Sequence, residues 1–523
     1  MVHNFPLIGD HHTEGVACVA AYLGQRSHAD IALAAATCLA DYARLLHDLA
    51  AAPDADAAAP AADGDSPPPV LGLQGSLSLP ADPERLWWPL CEALALAVGT
   101  DPRAAVRSAA LTSLFGVLEA ELAAGGALHG PFGLRVFGQL VLPIFDALPA
   151  EAATSSLAPA QAAWVENTGL PALAALERAF CGAGALLAPL LDDVIALLVR
   201  CLQQPHHPGL ARVAAESLLQ LVRETGASFS QETWALVCAA LKSCFAASAA
   251  DAYAGGAAAG TEGAVAASPL LREVSAKVQA EAPEGSGPYE LQVLLLSTVY
   301  QLLQSMYPSM KLSDVEGLLN CMHTMYGKAA STVEGALGGE AQGAEGGEPA
   351  GAGAGSEGGA SSAVEVEEAS HLKLEAMSYY LQVLFLLHAK LEPGAALPVK
   401  GAAPPLGSAA HVLLIATAAE YRLVSFCLHA LRDYLKTREA VAAAGGSPEQ
   451  LRLAEAALTG LTPNVVMLLR GVLAFSEPQF SKHLPAFYPL FADLIHCESK
   501  QIATVLRELF AQRIAPHLQQ ATT

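Results

Sequence analysis

The chain has 523 residues, of which 53% are hydrophobic, 15% charged and 6% aromatic, too apolar for wholesale disorder and ample for a buried core. Ala, Leu and Val dominate, a balance that favours packed helices over strands. Its 28 Lys and Arg stand against 51 Asp and Glu, and a net charge of -23 excludes a protein that works by neutralising phosphates, so no nucleic-acid partner is expected.

Residues 1–49 form the first block. Ile31, Ala35, Leu39, Tyr42, Leu46 and Leu49 recur at three- and four-residue spacing, which predicts an amphipathic helix preceded by at least one other. Residues 50–80 are rich in Ala, Asp and Pro and read as a linker, since Pro67, Pro68 and Pro69 in succession cannot continue a helix.

Residues 81–248 are the most regular block. LWWPLCEALALAVG predicts one helix, TDPR a turn and AAVRSAALTSLFGVLEAEL the next helix, with Val106, Ala110, Leu114, Val117 and Leu118 on one face. Asp101 is placed to cap the second helix with Pro102 at its first position, and Arg103 and Arg107 then fall one turn apart on the exposed side. Helix, acidic turn, Val-Arg, helix is the pattern of a HEAT unit, in which an acid and an Arg commonly form a ladder between repeats. The pattern returns at residues 186–226, broken by Pro205 and Pro208.

Residues 249–287 read as an Ala/Gly-rich linker containing one short helical stretch, SPLLREVSAKVQAEA. Residues 288–330 resume helical repeats with Leu291, Leu295, Val299, Leu302 and Met306 in one stripe. Residues 331–370 hold eight Glu and no base in a Gly-rich run and read as a disordered linker. Residues 371–523 form the C-terminal helical repeats, interrupted at PGAALPVKGAAPP. At about 40–47 residues per unit, the blocks make about nine or ten helical hairpins. The expected fold is all-α, a HEAT/armadillo-like α-solenoid with acidic linkers.

Chemistry-bearing patterns are sparse. Met325 to Ala329 contains Gly327-Lys328, but Ala follows where a phosphate loop needs Ser or Thr, so no nucleotide or other cofactor is expected. His3, Asp10, His11, His12 and Glu14 are the densest potential ligands, and a solvated turn explains them better than a metal, as it does His206 and His207 between two prolines. The ten Cys form no C-x-x-C pair and read as reduced core thiols of an intracellular protein. Trp87, Trp88, Trp164 and Trp234 each stand near the start of a helical pattern, where they are expected to plug repeat junctions. The opening MVHNFPLIGDHHTEG is polar and broken by Pro6 and Gly9, so no presequence is expected, and the apolar run His411 to Ala430 carries Glu420 and Arg422, unlike a membrane span.

One resemblance adds to this reading. LWWPLCEALALAVGTDPRAAVRSAALTSLFGVLEAE followed by LRVFGQLVLPIFDAL resembles the C-terminal region of the large brefeldin-A-inhibited guanine-nucleotide exchange factors for ARF GTPases. The resemblance rests on Trp88, Asp101, Arg103, Arg107 and Pro143-Ile144-Phe145-Asp146, and continues through Trp234 to Phe480, Leu484 and Phe487. These are motif residues of a structural kind, with no catalytic role attached. The family's exchange module has no counterpart in these residues, so the chain is not expected to be an enzyme. The resemblance implies a regulatory and scaffolding region in vesicle transport, cytoplasmic and peripheral at the trans-Golgi network and endosomes. It also implies small GTPases of the ARF or Rab type as partners, self-association, and recruitment to the membrane through proteins. The competing expectation is a HEAT-like adaptor unrelated to ARF.

Overall fold

The computed structural model describes residues 11–51, 83–125, 128, 130–148, 159–204, 207–251, 288–338, 358–390, 404–443 and 448–522. Every regular element among them is helical, and they fall into two compact units that meet in sequence at Ser228 and Phe229.

The first unit contains α1 (His12–Leu23), α2 (Ala29–Ala51), α3 (Pro83–Thr100), α4 (Ala104–Ala124), α5 (Pro131–Val136), α6 (Pro159–Trp164), α7 (Leu170–Ala183), α8 (Leu191–Leu202) and α9 (Pro208–Thr225). α1 packs on α2, α3 on α4 and α8 on α9 as hairpins, while α2, α4, α7 and α9 pack side by side in one layer. α1, α3 and the α5 segment build the other layer. Ala35, Leu39, Tyr42 and Leu46 face this core as their spacing predicts, whereas Ile31 is exposed because the buried face runs through its neighbour Ala32 and Ala36 instead.

The second unit contains α10 (Gln231–Asp251), α11 (Pro288–Met306), α12 (Leu312–Gly338), α13 (Gly358–His388), α14 (Ala409–Ala443), α15 (Pro448–Leu473), α16 (Glu477–Leu494), α17 (Lys500–Leu509) and α18 (Ala515–Thr522). α11, α13, α15 and α17 form one layer and α10, α12, α14 and α16 the other. Each unit is thus a two-layer stack of helical hairpins, the α-solenoid arrangement.

Helix extends further into the acidic stretch than its composition suggests: α12 continues to Gly338 and α13 starts at Gly358, so residues 331–338 and 358–370 are helical instead of linker. Continuation of a packed helix overrides weak local propensity there. Residues 52–80, 252–287 and 339–357 lie outside the described residues, as does the stretch SPLLREVSAKVQAEA.

Prolines shape three places in a common way. The π-helical turns Phe137–Val141, Val165–Gly169 and Phe510–Ile514 each end two residues before a proline, at Pro143, Pro171 and Pro516. In each case the residue preceding the proline donates its N–H five residues back, Leu142 to Phe137, Leu170 to Val165 and Ala515 to Phe510. A proline ring collides with the carbonyl four residues earlier; the widened turn moves that carbonyl aside and lets the helical path continue.

Candidate functional site

The turn between α3 and α4 gathers three of the motif residues. Helix α4 begins at Ala104 with Arg103 at its N-cap position, so Asp101 is not the cap and Pro102 precedes the helix. The Asp101 Oδ1 instead accepts the Arg103 backbone N–H at 2.9 Å and its Nε at 3.0 Å, while Oδ2 accepts Nη2 at 2.7 Å. These hydrogen bonds, the side-chain ones first, hold the Asp101 carboxyl below its ordinary value against partial burial.

Arg107 is buried, contrary to the exposed face that helical spacing from Arg103 suggests. Its Nη1 donates to the Asp101 carbonyl at 2.9 Å and its Nε to the Thr168 hydroxyl at 2.8 Å. Thr168 belongs to the π turn that Pro171 imposes, and that turn brings its hydroxyl inward to α4. The guanidinium therefore ties one hairpin's turn to the next helical segment, as a repeat ladder does; the acid pairs with Arg103, and Arg107 takes the carbonyl of the same residue.

Pro143 to Asp146 lies in a 3-10 segment, Leu142–Ala147, that packs on α3. Ile144 and Phe145 are buried, Pro143 and Asp146 exposed, and the Phe145 carbonyl accepts from Arg200 Nη2 of α8 at 2.9 Å. Trp88 is half-buried with the Arg135 guanidinium 5.2 Å from its ring, and Arg135 also pairs with Glu84 at 2.7 Å. Trp234, in the other unit, is fully buried against Phe229 at 5.1 Å. The motif residues thus divide into one connected junction, Asp101, Arg103 and Arg107, and separate packing positions. Thr168 and Arg200 were invisible to spacing because their partners lie 61 and 55 residues away in sequence.

The second unit holds a buried polar cluster that the sequence flagged only as charge in an apolar run. Two helical stretches, Ala409–Glu439 and Ala454–Leu473, are long and apolar enough to cross a membrane by composition. In the first, however, Glu420 accepts from Lys482 Nζ at 2.9 Å and lies 2.7 Å from His483 Nε2 of α16. Burial pushes the Glu420 carboxyl up, but hydrogen bonds from His483 and Lys482 outweigh it and hold it below its ordinary value. His388 nearby is buried, its ring 4.7 Å from that of Phe475, and its Nε2 has no hydrogen-bond partner among the described residues. Burial above all lowers its pKa from 6.5, helped by His483 and Lys482 and opposed by Glu420.

A histidine kept neutral in the fold binds a proton more readily when unfolded, so its stabilisation is present above pH 6.5 and is lost as pH falls through that value. The thermal midpoint of the second unit should decline from pH 7 toward pH 5, and His388→Phe should flatten that limb. An unchanged slope in the variant would assign the loss elsewhere. Protonation of Glu420 gives a separate decline below pH 4.5.

A cleft of about 540 Å³ opens between α12 and α14 of this unit. Its floor is the buried edge-to-face set Tyr326, Tyr380 and Phe426, with Tyr380 and Phe426 centroids 4.8 Å apart and Tyr326 and Phe426 5.0 Å apart. Gly327 lines it, in the middle of a 27-residue helix, where an added Cβ would meet nothing within 4 Å. The same glycine sits in the Gly-Lys pair weighed as a phosphate loop; it is helical, so its backbone cannot cradle a phosphate. A mid-helix glycine costs about 1 kcal/mol against alanine.

The remaining candidates separate. His11 and Glu14 are exposed with 4.0 Å between them, His3, Asp10 and His206 lie outside the described residues, and no group of three metal-type ligands occurs among the described residues. All ten cysteines are free; Cys91, Cys201, Cys238, Cys244 and Cys427 are buried, and burial pushes the Cys91, Cys201, Cys238 and Cys244 thiols up to about 12. Cys18, by contrast, is exposed.

Comparison with known proteins places these stacks. Residues 363–511 match the family described as the BIG2 C-terminal domain. Brefeldin A-inhibited guanine nucleotide-exchange protein 3 of Arabidopsis thaliana is 24% identical over 86% of this chain and 25% of its own length. Proteins 2 and 1 of the same name and organism are 29% and 28% identical over 30% and 28% of this chain, and over 9% of their own length each. The chain therefore spans a quarter or less of the curated relatives it matches. The C-terminal domain match at residues 363–511 and the similarity along most of the chain thus point the same way, to likeness with the C-terminal part of the brefeldin A-inhibited guanine nucleotide-exchange proteins.

Proposed function

We propose that this chain is the regulatory and scaffolding region of an ARF guanine-nucleotide exchange factor, working through protein contacts in vesicle-mediated transport. The observation that carries the reading is the match of residues 363–511 to the BIG2 C-terminal domain, within a similarity to an exchange protein that runs over 86% of the chain. Stacked hairpins suit the role, because they present wide helix faces without requiring a catalytic cleft.

In this reading the chain performs no nucleotide exchange. It binds small GTPases of the ARF or Rab type, associates with further copies of itself, and is held at the cytoplasmic face of the trans-Golgi network and endosomes by protein partners. A GTPase that prefers one state of the region shifts its population by that differential affinity. The acidity of the chain argues against direct capture by anionic lipid, which selects clusters of Lys and Arg. Asp101, Arg103, Arg107, Pro143 to Asp146, Trp88 and Trp234 act as structural residues that hold the repeats in register.

The purified chain, mixed with GTP-loaded and GDP-loaded Golgi small GTPases on and off liposomes, should bind a GTP-loaded form preferentially and release no nucleotide. Exchange in the same samples would show a catalytic function this reading denies. Absence of binding to every GTPase would favour an adaptor unrelated to ARF.

A further inference from the structure

We propose that the end of α13 is a proton-operated hinge: protonation of His388 unwinds residues 388–390 and uncovers the ring of Phe475, while the body of the second unit stays folded. His388 is the final residue of α13, and it is buried although Ala389 and Lys390, which follow it, are exposed. Its ring lies 4.7 Å from that of Phe475, whose ring is in turn 6.3 Å from that of Phe385 in α13 and 6.4 Å from that of His483 in α16. Nε2 has no hydrogen-bond partner among the described residues. A neutral imidazole can stay in such a place. An imidazolium has a charge and two N–H donors to satisfy, so it must reach an acceptor or water.

Among the described residues, the charged groups that act on His388 are Glu420 from α14 and Lys482 and His483 from α16. Its own helix adds only the exposed Lys390 just beyond it, and the turn after α15 brings the apolar Phe475. Glu420 draws a proton toward His388, but its Oε1 already accepts from Lys482 at 2.9 Å and lies 2.7 Å from His483 Nε2. Lys482 and His483 oppose a further cation. The last turn of a helix ordinarily favours a positive charge, so it is the burial of His388 that keeps the ring neutral.

Of the pieces around the ring, the end of α13 is the one that can yield. Phe475 is held from behind by Arg513, which donates to the Leu473 carbonyl at 3.0 and 2.9 Å, to the Phe475 carbonyl, and to Glu477 at 3.0 Å. α16 is anchored by the buried Phe480, Leu484, Phe487 and Phe491. α13, by contrast, closes with the Ala389 N–H on the Phe385 carbonyl at 2.9 Å and the Lys390 N–H on the Leu387 carbonyl at 3.4 Å, both from exposed residues. Unwinding there hydrates His388 at the loss of a few terminal hydrogen bonds, where local opening is least costly. Leu384 and Leu387, fully buried one step earlier, stop it from spreading.

Hydrogen exchange on the full chain tests this, resolved to the amides of residues 388–390 and corrected for the intrinsic effect of pH. An opened His388 takes up a proton near pH 6.5 and the closed one only at lower pH, so opening is favoured as pH falls below 6.5. The opening population should rise by up to about tenfold per pH unit over that range, on the order of tenfold between pH 7 and pH 5. Protection of α11 and α15 should stay level. Glu420 remains ionised down to pH 5, which keeps its own titration out of the window. His388→Phe and His388→Gln each remove the titrating group, and either one that folds should show the same protection at both pH values. Unchanged protection at residues 388–390 in the original chain, an equal loss throughout α11 and α15, or a loss that persists without His388 would overturn the proposal. The hinge does not depend on which partner the chain binds.

Discussion

Replacing Trp234 with alanine should lower the stability of the second unit by about 3–5 kcal/mol, the range for removing a large aromatic from a core. The side chain is fully buried at the start of α10 and packs on Phe229 at 5.1 Å, so the cavity has no solvent edge through which to collapse. At about 2–4 °C per kcal/mol for a unit of this size, the thermal midpoint should fall by roughly 6–20 °C. Trp234→Phe should cost well under half as much. It keeps most of the ring volume and discards an indole N–H that has no hydrogen-bond partner among the described residues. Comparable, mild losses for both variants would mean that the tryptophan does not pin this junction.

The second large effect is expected at Arg107. Arg107→Ala leaves the Asp101 carbonyl and the Thr168 hydroxyl without their donor, and it also removes an apolar stem packed between α4 and the π turn. Losing a buried, hydrogen-bonded charge in this way should destabilise the first unit by about 2–4 kcal/mol, read by denaturant or thermal unfolding. Arg107→Lys should recover only part of the loss, because an ammonium on a flexible stem cannot donate from fixed positions in both directions. A double-mutant cycle with Thr168→Val should show coupling of at least about 0.5 kcal/mol, whereas strict additivity would mean that the 2.8 Å contact carries no energy.

These two residues also show how far sequence reading goes. Trp234 was legible: a large aromatic opening a helical stripe has few places to go other than a repeat junction, and burial follows from the hydrophobic effect without knowledge of its neighbours. Arg107 was legible as a motif position and misplaced by helical phase. Charge predicts an exposed face, and burial becomes possible through the nearby Asp101 carbonyl together with a partner 61 residues away in sequence, presented by a π turn that Pro171 enforces. Asp101 is a similar case. Its identity suggested an N-cap, but the guanidinium of Arg103 competes for the same carboxylate and takes it.

The all-helical class, the hairpin order and the core stripes through Leu39, Leu114 and Leu302 were set by composition and by three- and four-residue periodicity, which are local properties of the chain. The family likeness lay in motif residues, and comparison with whole sequences supports it. Which polar residues are buried, and which apolar ones stay outside, was decided by tertiary structure. Glu420 sits in an apolar helix because Lys482 and His483 arrive from α16 to meet it. The cleft beside Gly327 lies between α12 and α14, two helices of one layer that are far apart in sequence. Periodicity states which face of a helix is apolar; it holds no information about which distant side chain will neutralise a charge or leave a gap open, because those depend on contacts between segments far apart in the chain.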